Sequence, residues 1–107
     1  KSDATSIPLD DNSVDITTSL EFVEHLIPED VGSVIEEMVR VTKHWLVNKV
    51  EMRSSNFMRE ELTELFGDGE LHPTVKGVAW WFYQFSKHGQ SWILEQQNTW
   101  ATIITVL

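Results

Sequence analysis

Apolar and polar residues alternate along the first half of the chain in blocks that predict a strand, a helix and a second strand. The β-branched run Val14–Thr18 predicts the first strand. Leu20–Leu26 predicts a helical turn, and Trp45–Val50 predicts another strand whose first residues are apolar on both faces. A strand, a helix and a strand in this order form a βαβ unit, with parallel pairing and a right-handed crossover.

The helix between these strands is predicted over residues 29–42. Its apolar side chains recur at helical spacing and form one stripe, and acidic residues fill its first turn. Glu36 and Arg40 are one turn apart, so we expect them to pair on the exposed face.

The second half predicts two more helices and a hairpin. Met58–Phe66 carries an apolar face and is followed by Gly67, and Val78–Lys87 places Trp81, Phe82 and Phe85 inward. Trp92–Gln96 and Trp100–Val106 predict two antiparallel strands joined by a tight turn near Gln97-Asn98. The fold class is therefore α/β: a parallel pair, then an antiparallel C-terminal hairpin, with helices packed on the sheet.

Composition excludes several function classes. The net charge of −9 gives no basic footprint for nucleic acid, and without cysteine there is no disulfide framework or thiolate metal site. No apolar run approaches the roughly 20 residues of a membrane span, and no signal-peptide core opens the chain. We expect a soluble cytoplasmic protein. The four histidines match no compact metal motif, so no metal site is predicted.

Three segments together resemble one enzyme family. An acidic residue and Ala4 precede the apolar-Pro-apolar turn Ile7-Pro8-Leu9 and an Asp-rich approach to the first strand. Ser19–Leu26 contains Glu-His after that strand, and Glu37–Lys43 reads Glu-x-x-Arg-Val-x-Lys. In this order and spacing they resemble class I S-adenosylmethionine (SAM)-dependent methyltransferases of the type 11-like group.

The resemblance implies a partial Rossmann-like fold. In the family's strand order 3-2-1-4-5-7-6, this chain would supply strands 4-5-7-6, as a single domain over residues 1–107 that forms the C-terminal half. The glycine-rich loop after strand one and the acidic residue after strand two have no counterpart here, so the SAM site would be incomplete. The late segment, with His72-Pro73 and Trp80-Trp81, is similar to that of methyltransferases acting on sugars or other small molecules.

The resemblance also assigns cofactor contacts. Asp3 and the backbone N–H of Ala4 would meet the adenine, and Ser19 and Leu20 would line the sulfonium and substrate cleft. Glu21 would contact substrate beside them. The alternatives are a solvated loop at Asp3 and a strand-to-helix connection without a ligand at residues 19–21.

Candidate acceptor-side residues follow. His25 could take a proton from an acceptor hydroxyl, because imidazole titrates near neutrality, and Glu24 would contact substrate or only stabilise the turn. His72 could cover the substrate or be a solvated loop histidine. Trp80 lies off the apolar stripe of its helix and could wall a small-molecule acceptor, although aromatic residues at helical spacing more often belong to the core.

An alternative to catalysis is a methyltransferase-fold remnant that acts as an oligomerisation module. Without strand one, Val14–Thr18 would be a bare edge, and unpaired apolar edges invite association. We therefore expect a homodimer or swapped assembly through this strand. A further alternative is folding beside a separate polypeptide that carries the missing half.

Overall fold

The structure is a computed structural model that describes residues 4–52 and 74–107. The predicted helix Met58–Phe66, and the candidate residues Asp3 and His72, lie outside the described residues. The described elements are β1 (Val14–Leu20), a 3-10 turn (Val23–His25), α1 (Pro28–Val41), β2 (Thr42–Glu51), α2 (Val78–Ser86), β3 (Gln90–Gln96) and β4 (Trp100–Val106).

The strands form one mixed sheet in the order β1-β2-β4-β3. β1 pairs with β2 in parallel, and β4 pairs antiparallel with both β2 and β3. This is the predicted order 4-5-7-6, including the insertion of the last strand beside the second. The α/β prediction and the closing hairpin are both confirmed.

α1 passes into β2 without a loop. Pro28 occupies the first turn, where its missing N–H costs nothing. At the other end, the Thr42 hydroxyl donates to the Met38 carbonyl and hydrogen bonds the Thr17 hydroxyl across the sheet. β2 therefore begins at Thr42 rather than at the predicted Trp45, and a register shift follows before Ile16 pairs with Trp45.

The core lies between one face of the sheet and the helices α1 and α2. Leu46 and Val50 of β2 and Ile103 of β4 are fully buried there, with Trp81 and Phe85 from α2. α1 contributes its predicted stripe: Val31, Val34, Ile35, Met38 and Val41. Trp81 and Phe85 thus point inward as predicted, and Phe82 is partly buried against the same cluster.

The opposite face, which we call the outer sheet face, carries exposed apolar side chains. Ile16 is 54% exposed, Trp45 41% and Trp92 47%, and the half-buried Val47 and Ile104 lie between them in the register. The expectation of a strand covered on both faces therefore fails among the described residues, because their helices pack on the other face. Neither described helix is long and apolar enough to cross a membrane.

Candidate functional site

The carboxyl ends of the parallel strands β1 and β2 lie side by side. Leu20 is in register with Lys49, and the next backbone N–H, that of Glu21, donates to the Lys49 carbonyl at 2.8 Å. Open α/β sheets bind ligands at this edge. We call the region formed by Ser19–His25 the strand-end site.

Glu21 turns the chain away from the sheet. Its φ of 55° lies in the left-handed region, which costs a residue with a Cβ about 1–2 kcal/mol. Leu20 just before it is 70% exposed, and Phe22 just after it is 36% exposed. The strained residue therefore stands at the centre of an open sheet end, a place where strain is often functional.

Ser19 lies on the buried face of the sheet. Its hydroxyl donates to Asn48 Oδ1, its register partner on β2, and Asn48 is 1% exposed. The Ser19 side chain is thus engaged inside the core, and only its backbone belongs to the open edge. Asn48 Nδ2 is buried without a hydrogen-bond partner.

Glu24 is a fully buried carboxylate beneath the turn. Its Oε1 accepts the Glu51 backbone N–H at 3.4 Å, and its Oε2 lies 3.7 Å from His25 Nε2. The carboxylate therefore joins the end of β2 to the 3-10 turn. This position fits a stabilising role in the turn, and it also places a carboxyl oxygen beside the imidazole.

His25 is the accessible member of this pair. Its side chain is 47% exposed, while its backbone N–H donates to the Phe22 carbonyl at 3.0 Å. A fixed backbone with an open ring is an arrangement that can exchange a proton with a bound molecule.

Thr74 attaches the segment before α2 to the strand-end site. Its N–H donates to the Glu24 carbonyl at 3.3 Å, and its hydroxyl donates to the Leu26 carbonyl at 2.6 Å. Thr74 is fully buried. Nothing in the local sequence pattern indicated this role, because it depends on a contact 48 residues away in the chain.

Trp80 is partly buried against the core. Its ring meets Trp81 edge-on at 4.9 Å between centroids, and Lys76 Nζ lies 5.5 Å from its ring centroid. Part of the ring is therefore used in packing, and the remaining accessible part can still contact a bound molecule.

A second polar network holds the loop before β1. Arg40 donates from Nη2 to the Ile7 carbonyl at 2.8 Å, and from Nη1 to the Leu9 carbonyl at 2.9 Å and Asp11 Oδ1 at 2.7 Å. Its Nε and Nη2 also donate to Glu37, at 2.7 and 3.0 Å. Arg40 thus pairs with Glu37 and Asp11, not with the predicted Glu36, because Glu37 lies on the side of α1 that faces the loop.

Glu37 completes this network, which we call the loop clamp (Glu37 and Arg40). Its Oε1 accepts the Ile7 N–H at 2.9 Å. Hydrogen bonds from the Arg40 side chain and from the Ile7 N–H lower the pKa of Glu37, and the two carboxylates raise the pKa of Arg40. The Glu-x-x-Arg pattern therefore binds the apolar-Pro-apolar turn, so two of the three resembling segments meet in space.

No group of three or more His, Asp or Glu side chains that could hold a metal ion occurs within residues 4–52 and 74–107.

Comparison with known proteins agrees with this geometry. The methyltransferase domain family model matches residues 1–45, which include the clamped loop, β1, the strand-end site and α1. A SAM-dependent methyltransferase of Thermotoga maritima, described as a possible histamine N-methyltransferase, superposes with a TM-score of 0.66 at 16% identity. That alignment covers 96% of this chain and 60% of the other.

The chain carries part of a class I SAM-dependent methyltransferase fold. Magnesium protoporphyrin IX methyltransferase of Synechocystis PCC 6803, with bound SAH (S-adenosylhomocysteine), aligns with a TM-score of 0.61 at 11% identity, covering 98% of this chain and 48% of the other. A protein in complex with the Haloferax volcanii Trm112 methyltransferase activator gives 0.65 at 18% identity, covering 98% and 58%.

The chain thus spans 60% of the Thermotoga protein and 58% of the protein aligned from the Haloferax complex. No curated protein matches it significantly in sequence. Activity, cofactor and acceptor are therefore matters for the proposal that follows.

Proposed function

We propose that the chain takes part in SAM-dependent methyl transfer to a small-molecule acceptor, a sugar or another metabolite. It would supply the adenine side and the acceptor side of the site. The observation that carries this proposal is the strand-end site itself. There a strained Glu21 and an accessible His25, backed by the buried Glu24, stand at the carboxyl end of two parallel strands.

The described residues fit one side of such a cofactor. The loop that carries Ala4 is fixed by the loop clamp, and the edge at Leu20 and Glu21 is open. SAM, when bound, supplies a methyl group on a positively charged sulfur. The residues proposed to hold it are Asp3 and Ala4 at the adenine and the backbone of Ser19 and Leu20 near the sulfur.

The role of the chain toward the acceptor is to orient it and take its proton. The acceptor oxygen would receive the methyl group from bound SAM, which would leave as SAH. The proton of the acceptor hydroxyl passes to the His25 imidazole. Glu24 Oε2, at 3.7 Å from Nε2, favours the imidazolium that forms. Glu21, His72 and Trp80 are the remaining proposed acceptor contacts.

Two structural neighbours support a small-molecule acceptor. The Thermotoga protein is described with histamine as its possible acceptor, and the Synechocystis enzyme acts on magnesium protoporphyrin IX. These acceptors differ in size and chemistry, so they support the class without selecting one compound.

The test is calorimetric titration of SAH into the chain, followed by transfer of a labelled methyl group from SAM to panels of sugars, amines and phenols. We expect binding of SAH and transfer to at least one acceptor, with His25→Asn reducing turnover more than SAH affinity. The proposal fails if no heat is measured with the chain, either alone or with a polypeptide supplying a glycine-rich strand-one segment.

A second candidate function is that of an interaction module. β1 pairs with β2 along one edge, and no strand within the described residues pairs with its other edge. Ile16 and Leu20 on this strand are 54% and 70% exposed. We propose a homodimer or swapped assembly through Val14–Thr18, because an open strand with apolar side chains is a template for pairing. Sedimentation distinguishes this from the monomer.

A further inference from the structure

The loop before β1 has little apolar burial to hold it in place. Within residues 4–13, only Ala4, Thr5 and Ile7 are partly buried, and all the others are exposed. Ordering each backbone residue costs roughly 1–2 kcal/mol in conformational entropy. The loop therefore depends on polar contacts to keep one conformation.

Those contacts converge on α1. The Arg40 guanidinium spans Ile7, Leu9 and Asp11, and the Arg40 carbonyl accepts the Asn12 N–H at 2.8 Å. Glu37 holds the Ile7 N–H from the other side. Ala4 is packed against the core cluster three residues before Ile7. The span between Ala4 and Ile7 is thereby held at both ends.

We propose that Arg40 is a positioning residue for adenine recognition. It touches no reacting atom. By fixing the loop at Ile7, Leu9 and Asp11, it holds the backbone N–H of Ala4 where it can donate to an adenine ring nitrogen. This inference rests on the proposed function, and it adds a residue of α1 to those that determine cofactor affinity.

The chemistry of the side chain explains why arginine is needed. A guanidinium carries five N–H donors in a rigid plane, so it can bind three loop acceptors and Glu37 together. Lysine offers a single charged atom and cannot span these groups. Arg40→Lys is therefore expected to keep the positive charge but not the hydrogen bonds that hold the loop.

The experiment compares two ligands, SAH and S-inosylhomocysteine, in which hypoxanthine replaces adenine. Hypoxanthine carries a hydrogen on the ring nitrogen where adenine accepts one, so a positioned N–H discriminates between them. Affinities are measured by calorimetry for the wild type, Arg40→Gln, Arg40→Lys and Asp11→Asn. Lys43→Gln is the charge-matched control, since Lys43 is exposed and lies outside the clamp.

We expect the wild type and Lys43→Gln to prefer SAH. Arg40→Gln should bind SAH about tenfold more weakly if the loop keeps its bound conformation about a tenth of the time. Its preference for SAH over the inosine analogue should fall toward one. Arg40→Lys should resemble Arg40→Gln, and Asp11→Asn should shift in the same direction with the fold unaffected, because Asp11 is exposed.

A loss of affinity for both ligands in equal proportion would assign Arg40 a purely structural role and overturn the inference. Unchanged affinity in Arg40→Gln would overturn it too, while leaving the proposed function intact. Absence of SAH binding by the wild type, both alone and with a polypeptide supplying the glycine-rich strand-one segment, while its Ile7 and Asn12 amides are protected from hydrogen exchange, would instead refute the proposed function, and the cofactor role of Arg40 with it.

Discussion

The backbone of Glu21 is strained, and its exposed side chain adds little to the stability of the fold. Its φ of 55° is strained for any residue with a Cβ, and its side chain is exposed. Its backbone N–H donates to the Lys49 carbonyl, and this hydrogen bond does not depend on the side chain. Strain kept at an open strand end is consistent with a functional side chain.

We predict that Glu21→Gly raises the free energy of unfolding. Relief of about 1–2 kcal/mol of strain is partly offset by about 0.4–1 kcal/mol for the more flexible unfolded chain. Denaturant unfolding should show a higher midpoint. Glu21→Gln should match the wild type in stability, since the strain is independent of charge, and Glu21→Val should unfold earlier. A lower midpoint for the glycine variant would contradict the strain argument.

We predict that Glu24→Ala destabilises the fold by about 1–3 kcal/mol, because it removes a fully buried side chain together with the acceptor of the Glu51 N–H. Glu24→Gln keeps the acceptor oxygen and the side-chain shape, so it should cost less. Urea unfolding of both variants measures the difference. Equal losses would show that the negative charge, and not the hydrogen bond, is what the fold requires.

At the scale of elements, the loop clamp should respond to acid. The pKa of Glu37 is lowered in the folded chain, first by the hydrogen bond from Arg40 and then by the one from Ile7. A lowered folded pKa means that the clamp's stabilisation is complete above the ordinary pKa of 4.5 and is lost as pH falls through the folded value.

We therefore predict that the Ile7 amide exchanges faster with solvent, relative to its intrinsic rate, as pH falls below about 4.5. Hydrogen exchange followed by NMR measures it. In Glu37→Gln the protection of Ile7 should be lower at neutral pH and should vary little across this range. An Ile7 amide whose protection is constant down to the global acid transition would show that the clamp does not hold the loop.

Gly89, at the entrance to β3, allows the hairpin to close against β4. A Cβ placed there would lie 2.1 Å from the Val106 carbonyl oxygen, whereas one at Gly32 of α1 would meet nothing within 4 Å. We predict that Gly89→Ala costs about 1–3 kcal/mol through forced backbone displacement. Gly32→Ala should gain up to about 1 kcal/mol from helix propensity. Thermal unfolding measures both changes. An unchanged melting temperature for Gly89→Ala would contradict the prediction and would show that the end of β4 moves to accommodate the added methyl group.

The elements and the parallel pairing of β1 and β2 were predictable from periodicity and the crossover rule, and the full strand order from the resemblance to the methyltransferase family. The bounds of β2 were less so, since Thr42 enters the strand through hydrogen bonds to Met38 and Thr17. The loop clamp and the Ser19–Asn48 hydrogen bond were not predictable either, because they too depend on contacts that form only in the folded chain. Both join residues about 30 positions apart, and no local pattern reports such a contact.

At the scale of the whole molecule, the sheet is unequal in its two faces. The described helices cover one face, while the outer sheet face meets, at Ile16, the edge of β1 that pairs with no described strand. A doubly wound sheet is ordinarily covered on both faces. The same surface would thus be available to a second copy of the chain or to the half that the resemblance implies.

The last prediction concerns this shared surface. If β1 pairs with a second copy, sedimentation equilibrium should show a monomer–dimer exchange that depends on concentration. Ile16→Lys should shift it toward monomer, because a charge on an edge strand opposes pairing. At 54% exposure the new side chain can reach solvent, so the melting temperature of the diluted monomer should change little.

Tyr83→Lys, at an equally open position (61% exposed) on α2, is the matched control and should leave association unchanged. A wild type that stays monomeric at high concentration would reject self-pairing, and equal effects of the two lysines would assign any association to overall charge.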